Sequence, residues 1–131
     1  MRIHHLGYAV KDMELSIRKF IDLGYKKTGE ITHDKRRNIL IQFMENGNYR
    51  IELIATFEGS SQIDSIIAKM GNTPYHICYS VKDMGEAIGN LKNSGYALVE
   101  KPTCAVAFGS KKVAFLYSKH MGIIELLECN I

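Results

Sequence analysis

HLGYAVKDMELSIRKFIDLGY, residues 5–25, returns 71 positions later as HICYSVKDMGEAIGNLKNSGY, residues 76–96, with nine of 21 positions identical. Each copy opens on a histidine, His5 and His76, and both carry Val-Lys-Asp-Met in register. A second echo lies downstream, Ile51-Glu52-Leu53 and Ile124-Glu125-Leu126, so a glutamate stands at a corresponding place late in each half. Chance seldom produces such agreement. One duplication relates two histidines and two carboxylates.

The same order of elements reads out twice. Residues 2–10 form a strand-like run, and Asp12 then stands as N-cap before Met13, Ile17, Phe20 and Ile21, which fall on one helical stripe. Gly24 closes that helix, and strands follow over 26–32, 38–45 and 49–56. Glu45-Asn46-Gly47-Asn48 signals a hairpin, because Asn and Gly accept positive φ cheaply. Pairing about Gly47 places Ile39, Ile41 and Phe43 on one face with Ile51, Leu53 and Ala55, and sets Gln42 opposite Glu52. Residues 57–73 read as a linker with a short helix, in which Ile63, Ile66, Ile67 and Met70 recur at helical spacing behind Ser60 and Ser61 as caps. The second half repeats the plan: strand 75–81, a helix from Asp83 to Asn93, Gly95, strand 96–101, an irregular loop from Pro102 to Ser110 able to move over a ligand, then KKVAFLYS and GIIELLE. The fold class is α+β, two tandem βαβββ modules over 1–56 and 74–131 within a single domain spanning residues 1–131.

Bulk composition narrows the field modestly. A chain of 131 residues with 46% hydrophobic content can bury a core without staples. Its net charge of +3 is mild, and the basic run Lys35-Arg36-Arg37 is short and lacks interleaved aromatics, so nucleic acid is not an expected partner. No apolar run approaches membrane-spanning length and the start lacks signal-peptide character, which makes the expected location cytoplasmic, with no membrane partner. Three widely spaced cysteines, Cys78, Cys104 and Cys129, suit free thiols in a reducing compartment.

Strand alternation puts His5, Gly7 and Ala9 on one face, His76, Cys78 and Ser80 on one face of the repeat, Arg50, Glu52 and Ile54 together, and Ile123, Glu125 and Leu127 together. A buried carboxylate without a cation is expensive, so these polar groups either face water or hold something. If the repeated sheets face one another across an approximate two-fold axis, His5, Glu52, His76 and Glu125 converge as two nitrogens and two oxygens, a donor set suited to Ni, Co, Mn, Fe or Zn. His4, His33 and His120 are expected at the surface, and Cys78 as a small buried thiol.

With these residues in place the chain resembles the vicinal oxygen chelate superfamily, of the glyoxalase I and methylmalonyl-CoA epimerase type. HHLGYAVKDM, YRIELIA, YHICYSVKDM and KKVAFLYSKHMGIIELLE carry the resemblance, which runs along essentially the whole chain. It implies two βαβββ modules whose curved sheets form a metal-binding cleft, with His5, Glu52, His76 and Glu125 as ligands of one divalent ion, Ni, Co, Mn or Zn. It further implies a reaction in which the cation stabilises enolate charge while a carboxylate moves a proton on the carbon next to a carbonyl. By analogy with glyoxalase I the base is Glu125, with Glu52 as its counterpart, since a carboxylate in a dry cleft gains basicity.

The resemblance also implies a small-molecule substrate, thiol- or CoA-linked. The IELLE ending and the short connection between modules are similar to the epimerases, yet Ser60-Ser61-Gln62 replaces their Asp-Ser-Pro, and Tyr8-Ala9 stands where glutathione-type glyoxalases carry arginine. Compact bacterial proteins of this layout are often classed with glyoxalase I, which makes a lactoylglutathione lyase type the leading expectation and methylmalonyl-CoA epimerase the alternative. A ferrous dioxygenase would use only two histidines and one glutamate, and a drug-binding protein on this fold commonly loses the ligands, so retention of all four sets both behind. Arg50 beside Glu52 is the candidate for a substrate carboxylate or phosphate, and Gln42 for a cleft donor. A homodimer covering exposed sheet edges is the expected assembly.

Overall fold

The structure, a computed structural model, describes residues 1–130. The chain divides into two compact units, His5–Tyr75 and a second made of Met1–His4 with His76–Ile131. In the first, β1 (Arg2–Ala9) from His5 onward, α1 (Met13–Asp22), β2 (Lys26–Asp34), β3 (Ile39–Asn46) and β4 (Tyr49–Thr56) precede α2 (Asp64–Met70). Its strands lie in the order β2-β3-β4-β1, antiparallel except that β1 runs parallel to β4. The second repeats this with β5 (Thr73–Val81) from His76 onward, α3 (Met84–Asn93), β6 (Ala97–Ala105), β7 (Lys111–Ser118) and β8 (Gly122–Glu128), ordered β6-β7-β8-β5 with β5 parallel to β8.

The repeated Val-Lys-Asp-Met and the glycine after each helix mark the helix ends. Asp12 Oδ1 accepts the Leu15 N–H at 3.0 Å and Asp83 Oδ1 accepts the Glu86 N–H at 2.8 Å, satisfying donors that the first turn leaves free. At the other end Gly24 and Gly95 take φ of 96° and 94°, which a side chain would resist. The Tyr25 N–H then reaches Phe20 O and the Tyr96 N–H reaches Leu91 O, closing a Schellman motif in both copies. The linker helix is also locally encoded. Ser61 Oγ accepts the Ile63 N–H at 3.3 Å while Asp64 Oδ2 accepts the Ser61 N–H at 3.0 Å, which fixes the turn leading into α2, although the N-cap position itself falls on Ile63 and has no side-chain cap.

Each helix covers one sheet face and leaves the other for chemistry. Met13 and Ile17 of α1 pack on Met44, Ile51, Leu53 and Ala55, while Met84, Ala87 and Ile88 of α3 pack on Ala114, Leu116, Ile124 and Leu126. Leu53 and Met44 have no exposed surface, and burial of each stabilises by about 1.5–3 kcal/mol. Because side chains alternate across a strand, burying Ile51 and Leu53 under α1 turns Glu52 to the opposite face, and Ile124 and Leu126 do the same for Glu125.

Two expectations are corrected. The hairpin closes through a two-residue loop, Gly47 and Asn48, with Asn46 opposite Tyr49, and among these only Gly47 has positive φ, 61°. That sign pattern is of type II′, and it pairs odd with even positions, so Phe43 lies opposite Glu52 and Gln42 opposite Leu53. A one-residue slip exchanges faces, hence Ile39, Ile41 and Phe43 do not share a face with Ile51, Leu53 and Ala55. The second correction concerns Pro102 to Ser110: β6 continues to Ala105, and only the 3-10 turn Val106–Phe108 with Gly109 and Ser110 remains outside strands. Pro102 is tolerated there because β6 ends the strand order and its register shifts between Glu100 and Thr103. Among the described residues, no helix is long and apolar enough to cross a membrane.

Candidate metal centre

Each unit brings one histidine against one glutamate on the face its helix leaves open. In the first, β1 presents His5 and β4 presents Glu52, with Gly7 the direct neighbour of Glu52 across the parallel pair. The two residues are 1% and 3% exposed, and His5 Nε2 stands 3.4 Å from Glu52 Oε1. In the second, β5 presents His76 and β8 presents Glu125, each 3% exposed, with His76 Nε2 at 2.9 Å from Glu125 Oε2 and Cys78 the neighbour of Glu125.

These separations bear on whether the residues fit a metal ion. Two ligands bound to the same ion at about 2.1 Å stand about 3.0 Å apart at a right angle and about 3.4 Å apart at the tetrahedral angle. Both pairs, at 2.9 and 3.4 Å, have the spacing of adjacent ligands. The chemistry also agrees. A buried carboxylate demands a compensating positive charge, and neutral imidazole with carboxylate suits borderline divalent ions rather than Ca or Mg, which prefer all-oxygen sites. Each pair therefore offers one nitrogen and one oxygen of a kind and spacing that suit a divalent ion.

The substrate candidates fare differently. Arg50 lies two positions from Glu52 on the same face of β4, half exposed, and its Nε donates to Glu45 Oε1 at 3.1 Å from the opposing strand. Gln42 is corrected. It is 1% exposed on the helix-covered face beside Leu53, and its Nε2 points at three backbone carbonyls, Phe43 O at 2.8 Å, Gly29 O at 3.2 Å and Thr28 O at 3.4 Å. The last two belong to the segment where β2 shifts register against β3, so Gln42 ties down the bulge. Gln42→Leu should lower unfolding free energy by about 1–3 kcal/mol, the cost of stranding buried carbonyls, and leave divalent-ion affinity within twofold of wild type. Denaturant unfolding alongside calorimetric metal titration checks this; a large loss of affinity would return Gln42 to the site.

Of the other histidines, His4 and His33 are half-buried. His33 stacks on Phe57 at 3.9 Å, His4 lies edge-on to Phe108 at 5.6 Å, and His120 is exposed in a turn. Among the described residues none of the three cysteines forms a disulfide, and Cys78 is buried with Ala105, Val113 and Leu127. Sequence reasoning missed two residues at the pairs, Phe43 and Phe115. Phe43 lies directly opposite Glu52, and Phe115 directly opposite Glu125. The signal that finds them is the hairpin register once the loop is counted correctly.

Comparison with known proteins gives a consistent picture. The model of the Glyoxalase/Bleomycin resistance protein/Dioxygenase superfamily matches residues 4–115. The chain is 25% identical over 119 residues to the ethylmalonyl-CoA/methylmalonyl-CoA epimerase of Cereibacter sphaeroides, covering 90% of this chain and 89% of that one. It is 25% identical over 128 residues to the mitochondrial methylmalonyl-CoA epimerase of Homo sapiens, covering 95% and 72%. Among solved structures, a hypothetical protein from Bacillus halodurans C-125 matches with a TM-score of 0.87 at 26% identity, covering 99% of this chain and 95% of that chain. The methylmalonyl-CoA epimerase from Mycobacterium tuberculosis shares the fold with a TM-score of 0.84 at 23% identity, covering 99% and 89%.

Proposed function

Since the chain belongs to the glyoxalase/bleomycin resistance protein/dioxygenase superfamily, we propose that it is a metal-dependent epimerase acting on the carbon between the thioester and carboxylate of methylmalonyl-CoA or a close homologue. The observation that carries this reading is the duplicated buried His–Glu pair, one in each unit, at the spacing of metal ligands. The relatives support the substrate class, since those aligning along 90% and 95% of the chain are named as epimerases of methylmalonyl-CoA and ethylmalonyl-CoA. The expected lactoylglutathione lyase activity finds no such support from them and gives way to the epimerase reading.

In this reading His5, Glu52, His76 and Glu125 hold one divalent ion, Ni, Co, Mn or Zn. Bound there, the ion would draw electron density from the thioester carbonyl and so favour the enolate that forms when the neighbouring carbon loses its proton. The proton itself is moved by the carboxylates. Glu125 takes it from one side of the carbon, and Glu52, its counterpart in the other module, returns one to the opposite side, which inverts the centre. A duplicated fold suits that task because the reaction needs the same base twice. Arg50, half exposed on the Glu52 face with its Nε donating to Glu45 Oε1, is the candidate for the substrate's free carboxylate. The outermost strands, β2 and β6, leave edges that a second copy would cover, and we place the protein in the cytoplasm as a homodimer.

The test is to strip the protein of metal, reload it with Co, Ni, Mn or Zn in turn, and follow interconversion of methylmalonyl-CoA epimers. Metal-restored epimerisation that a chelator abolishes is the expected result. Turnover of the methylglyoxal–glutathione thiohemiacetal with no action on methylmalonyl-CoA would overturn the epimerase reading in favour of the lyase.

A further inference from the structure

Both buried imidazoles meet a phenyl ring that reaches them from two strands away. His5 and Phe43 have ring centroids 5.5 Å apart at 80°, and His76 and Phe115 have theirs 5.5 Å apart at 89°. The strand order makes this informative. Phe43 lies on β3 and His5 on β1, with β4 between them, and Phe115 lies on β7 and His76 on β5, with β8 between them. Strands two apart are separated by about 9.5 Å, so rings at 5.5 Å lean toward each other over the intervening strand. The residue of that strand directly opposite the phenylalanine is Glu52 in one unit and Glu125 in the other.

The pattern is retained although the local sequence is not. Phe43 precedes Glu52 by nine positions through a two-residue turn, and Phe115 precedes Glu125 by ten through a three-residue turn, yet each phenylalanine faces its glutamate. Spacing changed and pairing did not. The phenylalanines are half-buried whereas the histidines and glutamates are buried, so each ring forms the outer cover of its pair.

From this geometry we propose that Phe43 and Phe115 are positioning residues that pin the ring planes of His5 and His76 and roof the carboxylates beside them. An edge-to-face contact resists rotation of the imidazole about its Cβ–Cγ bond, which keeps Nε2 on the glutamate side. The roof also excludes water from the carboxylate, which strengthens its attraction for a cation. The effect on metal affinity rests on the metal-site reading above; the pinning of the imidazoles does not.

The experiment compares Phe43→Leu, Phe115→Leu, their tyrosine counterparts and Phe57→Leu as an ordinary apolar control, with two readouts. In metal-free protein, the His5 and His76 ring-proton resonances should shift in the leucine variants, lose their single-conformer character, and return in the tyrosine variants. In Co(II) titrations the leucine variants should bind about 10–100-fold more weakly, with altered visible absorption, and the tyrosine and Phe57→Leu proteins should bind as wild type does. Unchanged imidazole resonances in the leucine variants would overturn the assignment, whatever Co(II) does. Should wild type bind no Co(II), the metal reading fails instead, and the resonances alone decide the positioning role.

Discussion

Glu125→Gln protein, loaded with a divalent ion, will epimerise methylmalonyl-CoA about 10³-fold more slowly than wild type. The substitution keeps shape and a carbonyl oxygen for the ion while removing the group that accepts the proton, and positioned acid–base groups contribute about 10²–10⁴-fold. Its partner allows a sharper version. If Glu52 works on the opposite side of the carbon, Glu125→Gln enzyme in deuterated water should still exchange the proton of one epimer, the one presented to Glu52, without inverting it. Glu52→Gln should then exchange only the other epimer. Following deuterium incorporation by mass spectrometry reads both, and undiminished epimerisation by Glu125→Gln would remove Glu125 from the proton path.

The second large effect concerns the ion itself. His76→Ala should weaken divalent-ion binding by at least about 100-fold, since even groups one shell removed from a metal are worth 10–100-fold. The metal-free variant should also be less stable by about 1–3 kcal/mol, because Glu125, 3% exposed, loses the imidazole 2.9 Å away. Replacing both members, His76→Leu with Glu125→Leu, separates the two consequences. An apolar pair is often as stable as the buried polar pair it replaces, so unfolding free energy should recover while ion binding stays lost. Calorimetric titration and denaturant unfolding of the three proteins supply the numbers. Wild-type affinity in His76→Ala would exclude that histidine as a ligand.

The candidate site was unevenly legible before the structure. His5 and His76 were visible because duplication set them at the same place in two copies, and Glu52 and Glu125 because Ile-Glu-Leu recurs. Phe43 and Gln42 were misplaced together. Both errors came from assuming one residue rather than two at the tip of the Gly47 hairpin, which moved Gln42 to the Glu52 face and Phe43 away from it. Pro102 misled in another way. Its missing N–H suggests a loop, but an edge strand at a register shift asks nothing of that N–H.

By itself the sequence determined what short-range forces specify: the two-module order, the aspartate caps and glycine stops of both long helices, and which strands carry histidine and glutamate. Those features rest on backbone sterics, capping and side-chain periodicity within a few residues. Only the tertiary structure decided which groups meet. The parallel pairing of β1 with β4 and of β5 with β8 sets His5 against Glu52 and His76 against Glu125, and the hairpin registers bring Phe43 and Phe115 over them. Register is a sum over loop length and the burial of a whole strand face, and a change of one residue reverses every side chain on it.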